Sequence, residues 1–313
     1  MGTYIAGLNK AIANEIANTP SVVVFGENID NGSYISGLTR NWEAPLDGRI
    51  INVGDCESTH CGVGFGLMLN GVTSILVAKQ LDFMLLGVEQ IVSTYQNIRS
   101  HRDLSALGGF SIISAICDQG FQGPQSSFNA LGDICSMARV PGYTLTNSRD
   151  AEVILKNQLN APGFRIICLS QRLYSTEILE FELIYNSPDC SVLQYFDGDD
   201  VTIACFNCSI PEGDILRQRL LDRGKHASLF SVNQVYPTDW SRIADSVART
   251  GKLVVLDDSK STNLLALTMM HFLRERCPPF QSILVAREEN IDFGVSEDKL
   301  NVDYDQLLSR LIP

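Results

Sequence analysis

The residues best suited to chemistry lie in a short polar cluster between an apolar run and a glycine-rich one. Residues 50–71 read IINVGDCESTHCGVGFGLMLNG, and the carboxylic acid Glu57 lies at the centre of the polar part. The order of apolar and polar residues predicts a strand, a turn and a helix. A carboxyl group at the start of such a helix can meet a ligand and exchange a proton with it, which is general acid–base chemistry.

The helix that follows this cluster carries a glycine pattern. Ser58 or Thr59 is a suitable N-cap, and Gly71 is a suitable residue just past the C-terminal end. Gly62 and Gly66 lie one turn apart and therefore on one helix face. Because that face has no side chains, it predicts close approach of another helix or backbone.

Three glycines in this segment also allow a different hypothesis, a nicotinamide dinucleotide site. Gly62, Gly64 and Gly66 have the spacing GxGxG, and Asp82 lies 20 residues after the first of them. The dinucleotide fingerprint is instead GxGxxG, and it lies directly at the end of a strand. The polar cluster separates these glycines from the strand, so the sequence argues against a dehydrogenase of this kind.

Composition and charge limit the classes of partner. The 313 residues are 45% hydrophobic and 19% charged, which is typical of a globular protein with a large core. A net charge of −12 argues against nucleic acid and against an anionic membrane as partners. No unbroken apolar run is long enough to span a bilayer, and residues 1–20 predict an amphipathic helix, not a signal or transit peptide.

The nine cysteines indicate a reducing compartment. Their number is odd, and Cys117, Cys168 and Cys205 lie inside apolar runs, as buried free thiols do. Cys205 and Cys208 form a CxxC pair, but a zinc site needs a second pair of ligands at suitable spacing. We therefore expect structural cysteines, no metal ligands in this chain and a cytoplasmic location.

Apolar runs rich in β-branched residues alternate with helical patterns along the chain. This alternation is typical of a doubly wound, parallel α/β architecture, whose strands are buried on both faces. A polar segment at residues 186–200 predicts a boundary between two such domains, residues 1–190 and 191–313. The long irregular stretches 28–47 and 118–129 are candidates to line a pocket or an interface. The predicted strands are 22–25, 74–78, 110–117, 164–169, 201–206, 227–232, 253–256 and 282–286, and the predicted helices are 4–17, 60–69, 88–98, 130–139, 151–159, 212–223, 240–249 and 263–276.

Several segments, taken in order, resemble one known family. VVVFGENID, RIINVGDCESTHCGVGFGLMLNG, LDFMLLGVEQIVSTYQ and VPGYTLTNSRDAEV resemble successive segments of the β subunit of the 2-oxo acid dehydrogenase E1 component and of the pyrimidine-binding domain of transketolase. The glycines 5, 9 and 14 residues after Glu57 match the family's spacing. DVTIACFNCSI, SVNQVYPTDW and GKLVVLDDS follow the order of the transketolase C-terminal domain. The resemblance covers nearly the whole chain and implies a pyrimidine-binding domain followed by a transketolase C-terminal-like domain.

The resemblance implies a thiamine diphosphate enzyme whose cofactor lies at a subunit interface. In the family, a glutamate hydrogen-bonds N1′ of the aminopyrimidine and favours the imino tautomer, which takes the proton from C2 of the thiazolium. Glu57 matches that glutamate, and the role requires an acid in a dry site with a raised proton affinity. Phe83 matches the aromatic residue that stacks on the aminopyrimidine. Both residues are therefore cofactor-binding candidates, and Glu57 is also the catalytic candidate.

Three further matches to cofactor-binding positions are looser. Lys79 and Leu86 occupy positions that flank the pyrimidine ring in relatives, although the residue types differ. Glu27 matches the Glu of the family's Gly-Glu-Asp segment, where it either binds the cofactor or caps a loop.

The family's loop histidine, which handles protons of the substrate or intermediate, has no counterpart here. Residues 120–142 contain no histidine, and Phe128 or Asn129 falls nearest to its position. Either the chemistry differs, or a partner chain or another histidine supplies the proton. His60 is the nearest catalytic candidate, although a lone histidine at a helix start is also a common structural residue.

The family's cation-binding segment is missing as well. Thiamine enzymes hold the diphosphate through a divalent cation bound by Gly-Asp-Gly…Asn, whereas Asp197-Gly198-Asp199 has the wrong order and lies in the predicted linker. The resemblance therefore implies that an α-type partner subunit carries the diphosphate-binding domain and holds the Mg²⁺. The usual assembly of relatives is an α2β2 heterotetramer.

Three functions remain open at this point, and we favour the first. It is the β-type subunit, the C-terminal half, of a split transketolase-like carboligase that transfers a two-carbon or acyl unit between small molecules. The second is the E1 β subunit of a 2-oxo acid dehydrogenase or decarboxylase. The third is a catalytically silent interface or regulatory subunit, which the missing histidine favours and which Glu57 and Phe83 oppose.

Overall fold

Short apolar segments form two six-stranded sheets in the computed structural model, which describes residues 2–120, 122–123, 126–287 and 299–312. Helices alternate with the strands and bury most of them on both faces, as expected for parallel sheets. The α/β class with two doubly wound sheets is therefore confirmed. Within the described ranges, every helix is too short or too polar to cross a membrane.

The first sheet is wholly parallel and has the order β2-β1-β3-β4-β6-β5. Its inner strands β3, β4 and β6 consist only of buried residues, which explains their continuous apolar sequences. The predicted strands were correct here to within one residue, but the short strand after Pro141 was not predicted. The strands are β1 (Val23–Gly26), β2 (Arg49–Asn52), β3 (Ser74–Ala78), β4 (Gly109–Ile116), β5 (Gly142–Leu145) and β6 (Gly163–Ser170).

Helices cover this sheet on both faces. Two of them, α1 and α5, pack on one face, and α2, α3 and α4 pack on the other. A 3₁₀ segment, Leu81–Gly87, and a π-helical segment, Gln90–Thr94, connect β3 to α3, where the sequence predicted one continuous helix from residue 88. The helices are α1 (Tyr4–Ala17), α2 (Glu57–Leu69), α3 (Tyr95–His101), α4 (Leu131–Ala138) and α5 (Ser148–Gln158).

The second sheet has the order β12-β11-β9-β10-β8-β7, in which β7 and β8 run antiparallel to their neighbours. The first sheet ends at Ser170 and the second begins at Tyr185, and the domain boundary at residue 190 stays a prediction. The strands are β7 (Tyr185–Asn186), β8 (Val192–Phe196), β9 (Val201–Phe206), β10 (Ala227–Val232), β11 (Lys252–Asp257) and β12 (Gln281–Ala286), and the helices are α6 (Ile210–Leu221), α7 (Ser241–Thr250), α8 (Leu265–Arg276) and α9 (Tyr304–Leu311).

The two ends of α2 test the helix boundaries that the sequence predicts. The predicted N-cap at Ser58 or Thr59 was wrong, because the helix begins at Glu57 and the N-cap residue is Cys56, whose side chain caps no backbone N–H. Thr59 lies in the first turn, and its Oγ1 is 3.0 Å from the Cys56 Sγ. Gly71 has φ of +77° and ends the helix as predicted, since glycine adopts this conformation without strain.

A buried charge cluster joins the two sheets. Arg172, just after β6, lies 2.7 Å from Glu212 of α6 and 3.4 Å from Asp258, which follows β11. Its Nε is 3.7 Å from Asp118, which follows β4. Strand β5 is also extended across the junction, because Gly142 exchanges two backbone hydrogen bonds with Gln234. The two units are therefore held together by both ion pairs and backbone hydrogen bonds.

Candidate functional site

A cleft opens at the carboxyl ends of β1, β2 and β3, the edge at which open α/β sheets bind ligands. Each of these strands is followed by a polar residue that lines the cleft. The residues with functional groups in it are Glu27, Asp55, Glu57, His60, Lys79 and Phe83. The structure therefore brings together all the predicted catalytic and cofactor-binding residues except Leu86.

Glu57 is half-buried and is the first residue of α2. The 3₁₀ segment that carries Phe83 ends at Gly87, which packs against this first turn. A Cβ atom at Gly87 would lie 2.7 Å from the Cys61 Sγ and 3.3 Å from the Glu57 carbonyl oxygen, so only glycine allows this approach. The close packing fixes the acid-bearing turn relative to the aromatic residue.

Phe83 is half-buried, and it lines the cleft although its ring also contacts the core. His60 lies one turn after Glu57, is half-buried, and meets the ring of Phe25 edge-on at 6.4 Å between centroids. Lys79 is exposed at the end of β3. Leu86 is 61% exposed and is not among the residues that line the cleft.

An acidic pair lies beside the candidate catalytic acid. Glu27 is exposed, and its carboxyl group is within hydrogen-bonding reach of Asp55; this contact raises the pKa of Glu27, and burial and the Asp55 charge add to the effect. Asn28 Nδ2 donates a 2.7 Å hydrogen bond to the same carboxyl group and opposes the shift. Sequence reasoning missed Asp55, although its place two residues before Glu57 at the end of a strand was a usable signal.

The residues nearest to the missing loop histidine have other contacts. Phe128 is 46% exposed, and its backbone N–H donates a 3.3 Å hydrogen bond to Asp82. Asn129 is buried, where its Nδ2 donates to the Asp258 carbonyl oxygen and its Oδ1 accepts from Asn207. Asn129 therefore joins the two sheets, and neither residue carries a titratable group.

The dinucleotide hypothesis conflicts with the structure. Gly62, Gly64 and Gly66 all lie inside α2, whereas the fingerprint needs its glycines in the turn between strand and helix. Asp82 is buried, 2% exposed, in the 3₁₀ segment after β3. These residues therefore form a helix and its neighbouring turn, not a phosphate-binding loop.

The segment Asp197-Gly198-Asp199 is a turn between β8 and β9. Arg249 of α7 pairs with both acids of this turn, and its Nε lies 2.9 Å from Asp199. The guanidinium of Arg249 already pairs with both carboxylates, so these contacts are those of a structural ion-pair site.

A second group of possible metal ligands lies at the junction of the two sheets. Ligand atoms of Asp118, Cys208 and Asp258 lie within 4.8 Å of one another, and all three residues are buried. Burial raises the pKa of the Cys208 thiol well above its ordinary value, so the thiol stays protonated. The guanidinium of Arg172 contacts both carboxylates and supplies the positive charge that a metal ion would bring.

The residues of the cleft fit the pyrimidine end of thiamine diphosphate. An aminopyrimidine offers ring nitrogens that pair with a carboxyl group and a flat face that suits an aromatic ring. Glu57 and Phe83 supply these two groups from elements that pack directly on each other. In the described part of the chain, no Gly-Asp-Gly…Asn segment accompanies them to hold a diphosphate.

Two proteins to which this chain is similar are β subunits of enzymes. That of acetoin:2,6-dichlorophenolindophenol oxidoreductase from Cupriavidus necator is 24% identical over 269 residues, which cover 80% of this chain and 78% of the relative. That of 2-oxoisovalerate dehydrogenase from Bacillus subtilis is 24% identical over 274 residues, which cover 84% of this chain and 82% of the relative. Both alignments extend through most of each polypeptide.

Solved structures and a family profile agree with this likeness. A split-gene transketolase, an inactive beta4 tetramer, has a TM-score of 0.69 at 16% identity, covering 99% of this chain and 94% of that chain. Transketolase from Campylobacter jejuni has a TM-score of 0.65 at 11% identity, and the match spans 44% of that longer chain. The profile described as transketolase, pyrimidine binding domain, matches residues 2–176, more than half of the sequence. The chain therefore belongs to the family of transketolase pyrimidine-binding domains.

Proposed function

We propose that this chain is the β-type subunit of a thiamine diphosphate-dependent, transketolase-like enzyme that transfers a two-carbon or acyl unit. The observation that carries the proposal is the placement of Glu57 and Phe83 in one cleft at the carboxyl edge of the first sheet. The likeness to β subunits of thiamine-type enzymes along most of the chain supports it.

Glu57 and Phe83 have different roles in holding and activating the cofactor. Glu57, the first residue of α2, would hydrogen-bond the pyrimidine ring and exchange a proton with it. Phe83 would cover the flat face of the ring and exclude water from it. When bound, thiamine diphosphate supplies a carbon nucleophile and an electron-accepting ring, which protein side chains lack.

We infer a partner subunit because this sequence lacks the Gly-Asp-Gly…Asn segment with which thiamine enzymes hold the diphosphate. An α-type subunit would hold the diphosphate and its Mg²⁺ and close the cleft from the other side, in an α2β2 assembly. The inactive beta4 tetramer of a split-gene transketolase gives a precedent for a β chain that lacks activity without such a partner. Cytoplasmic location is part of the proposal and is supported by nine cysteines, all of them free.

A second candidate is the E1 β subunit of a 2-oxo acid dehydrogenase or decarboxylase. It is favoured by relatives such as the 2-oxoisovalerate dehydrogenase β subunit. The silent-subunit hypothesis is opposed by the intact pair of Glu57 and Phe83 in the cleft.

The decisive experiment is Glu57→Gln in the complex assembled with the partner subunit. We expect turnover to fall by about 10²–10⁴-fold, the usual contribution of a general acid–base group, while the fold stays unchanged. Glu275→Gln is the matched control, because Glu275 is an exposed glutamate on α8, in the other unit. Steady-state kinetics and circular dichroism measure the two properties.

Turnover unchanged by Glu57→Gln, with the cofactor still bound, would establish the silent-subunit hypothesis. Full activity of this chain in the absence of any partner would contradict the split architecture. Equal loss in the Glu275→Gln control would show that the effect has nothing to do with the cleft.

A further inference from the structure

Residues 126–129, at the end of the long loop after β4, contact the 3₁₀ segment that follows β3, and we call them the bridging loop. The Ser126 hydroxyl donates a 3.1 Å hydrogen bond to the Gln80 Oε1. The Phe128 N–H donates a 3.3 Å hydrogen bond to the Asp82 carboxylate. Gln80 directly precedes the 3₁₀ segment and Asp82 lies in it, and both are buried. The bridging loop therefore holds the start of this segment.

The bridging loop is also bonded to the second unit, which contains the second sheet. Asn129 Nδ2 donates a 2.7 Å hydrogen bond to the Asp258 carbonyl oxygen, and Asn129 Oδ1 accepts a 2.7 Å hydrogen bond from Asn207. Lys260 donates its backbone N–H to the Asn129 carbonyl oxygen at 3.3 Å and its Nζ to the Ser127 carbonyl oxygen at 2.6 Å. Since these partners follow β9 and β11, four hydrogen bonds attach the loop to the carboxyl edge of the second sheet.

Asn129 is suited to this attachment by its backbone as well as by its side chain. Its φ is +46°, in the left-handed region that asparagine tolerates better than most residues. The residue is buried, and both polar atoms of its side chain are paired with the second unit. Loss of this side chain would leave the Asp258 carbonyl oxygen and the Asn207 amide without these partners in a buried place. Asn129 therefore fixes the position of the bridging loop.

The position of Phe83 in the cleft depends on this loop, because the 3₁₀ segment that carries the ring is attached at both ends. Asp82, which accepts from the bridging loop, directly precedes Phe83. At the other end of the segment, Gly87 packs against the first turn of α2, which carries Glu57. A 3₁₀ segment has poor hydrogen-bond geometry of its own, so contacts with its neighbours determine where it lies. A shift of the bridging loop would therefore move the ring relative to Glu57.

We propose that Asn129 is a positioning residue through which the second unit sets the affinity of the cleft for thiamine diphosphate. The inference rests on the proposed function and gives the second unit a role in binding the cofactor. Asn129 is not among the described residues that line the cleft, and it acts through the bridging loop, Asp82 and Phe83. A neutral amide near the position of the missing loop histidine thus anchors the loop and moves no proton.

Asn129→Gly is the sharpest test, because glycine adopts the same φ without strain and only the side chain is lost. In the complex assembled with its partner, we expect the Kd for thiamine diphosphate, measured by calorimetry, to rise about threefold. Tyr143→Phe is the matched control, since the Tyr143 hydroxyl donates a 3.1 Å hydrogen bond to the Asp189 carbonyl oxygen. That bond also joins the two units but does not involve the bridging loop, so its loss should leave the Kd unchanged.

A double-mutant cycle with Phe83→Leu shows whether Asn129 acts through the aromatic ring. If it does, Asn129→Gly changes the Kd for thiamine diphosphate much less in the Phe83→Leu background than in the wild type, because the stacking face is already lost. Three results would overturn the inference. They are an unchanged Kd in Asn129→Gly, the same fold-change in both backgrounds, and an equal rise of the Kd in Tyr143→Phe.

Hydrogen exchange of the full chain, followed by mass spectrometry, tests the positioning role without any cofactor. We expect Asn129→Gly to speed amide exchange in the 3₁₀ segment Leu81–Gly87 and Tyr143→Phe to leave it unchanged. If the wild-type complex binds no thiamine diphosphate, the proposed function fails, and this measurement decides about Asn129 by itself. Faster exchange of the segment in Asn129→Gly alone supports the positioning role, and exchange equal to that of the wild type refutes it.

Discussion

At the scale of single residues, the cleft combines a half-buried acid with a half-buried aromatic ring. Phe83 contacts both the core and the open cleft, so its ring can cover a ligand without leaving its own packing. Stacking between aromatic rings contributes about 0.5–1.5 kcal/mol beyond buried area. The ring therefore has one part packed against the core and another part open to the cleft.

We expect Phe83→Leu to raise the Kd for thiamine diphosphate about three- to tenfold, because leucine fills the core contact but offers no aromatic face. Isothermal titration calorimetry on the assembled complex measures this change. Phe272→Leu is the control, since Phe272 is half-buried on α8 in the other unit. An equal change of Kd in both variants would contradict a stacking role.

The sequence predicted Glu57 from a strand–turn–helix pattern together with the family resemblance, and Phe83 from the resemblance. Asp55 is adjacent to Glu57, but its pairing with Glu27 depends on how β1 and β2 align, which sequence spacing does not reveal. The hydrogen bonds that join the side chains of Gln80, Gln122 and Gln171 could not be predicted either, because these residues follow three different strands. Contacts within one segment could be predicted from the sequence. Contacts between segments could not, because they depend on the order of the strands in the sheet.

At the scale of elements, continuous apolar strands and amphipathic helices were predicted closely, and strands with polar neighbours were not. Helix α1 and strands β3, β9 and β10 have the predicted bounds. Strand β8 lies in a segment whose sequence predicts a polar linker, although Val192 and Leu193 are fully buried. An apolar run that is interrupted by Gln194 and lies between Pro- and Asp-containing turns gives too weak a pattern to outweigh its polar neighbours.

The ion-pair cluster between the sheets contributes to the stability of their junction. Replacing Arg172 with Met leaves Asp118, Glu212 and Asp258 buried without their cation. We expect the free energy of unfolding to fall by about 3–5 kcal/mol, as for other broken buried pairs. Urea denaturation followed by circular dichroism measures it, with Arg149→Met, which breaks an exposed pair, costing less than about 1 kcal/mol.

The same cluster predicts how stability depends on pH. Burial raises the pKa of Asp258 from an ordinary value of 3.8 to about 7, and the Arg172 charge only partly offsets this. The folded state therefore holds this proton more tightly than the unfolded state, and the stability it confers is lost as pH rises from about 4 through about 7. Asp257, raised to about 6 by burial, acts in the same direction.

Asp258→Asn should reduce the loss of unfolding free energy between about pH 5 and about pH 8, because the variant has no proton to release there. The amide oxygen can still accept the 3.0 Å hydrogen bond from the Cys208 N–H. Urea denaturation at both pH values tests this, with Asp305→Asn, at an exposed acid of α9, as control. A pH dependence identical to that of the wild type would show that Asp258 is ionised throughout this range.

At the scale of the whole molecule, the residues that the structure describes leave one face of α2 uncovered. Sequence reasoning predicted that Gly62 and Gly66 allow close approach of another backbone. Within the described residues, a Cβ atom at Gly66 would meet nothing within 4 Å, and one at Gly62 would only reach Gln90 at 4.0 Å. Val63 and Leu69 on the same helix are 47% and 41% exposed. A helix gains nothing from glycines that face open space, since each costs about 0.5–1 kcal/mol relative to alanine.

We therefore expect Gly66→Leu to leave the isolated chain folded, with a free energy of unfolding equal to the wild type or up to about 1 kcal/mol higher. The added side chain should instead block subunit assembly, because a leucine on this face keeps another backbone from approaching α2. Analytical ultracentrifugation of the chain with its partner measures assembly. Ser309→Leu places the same side chain on the exposed face of α9 and should assemble normally. Normal assembly and turnover of Gly66→Leu would show that this face of α2 remains exposed in the active enzyme, and the subunit contact would then lie elsewhere on the chain.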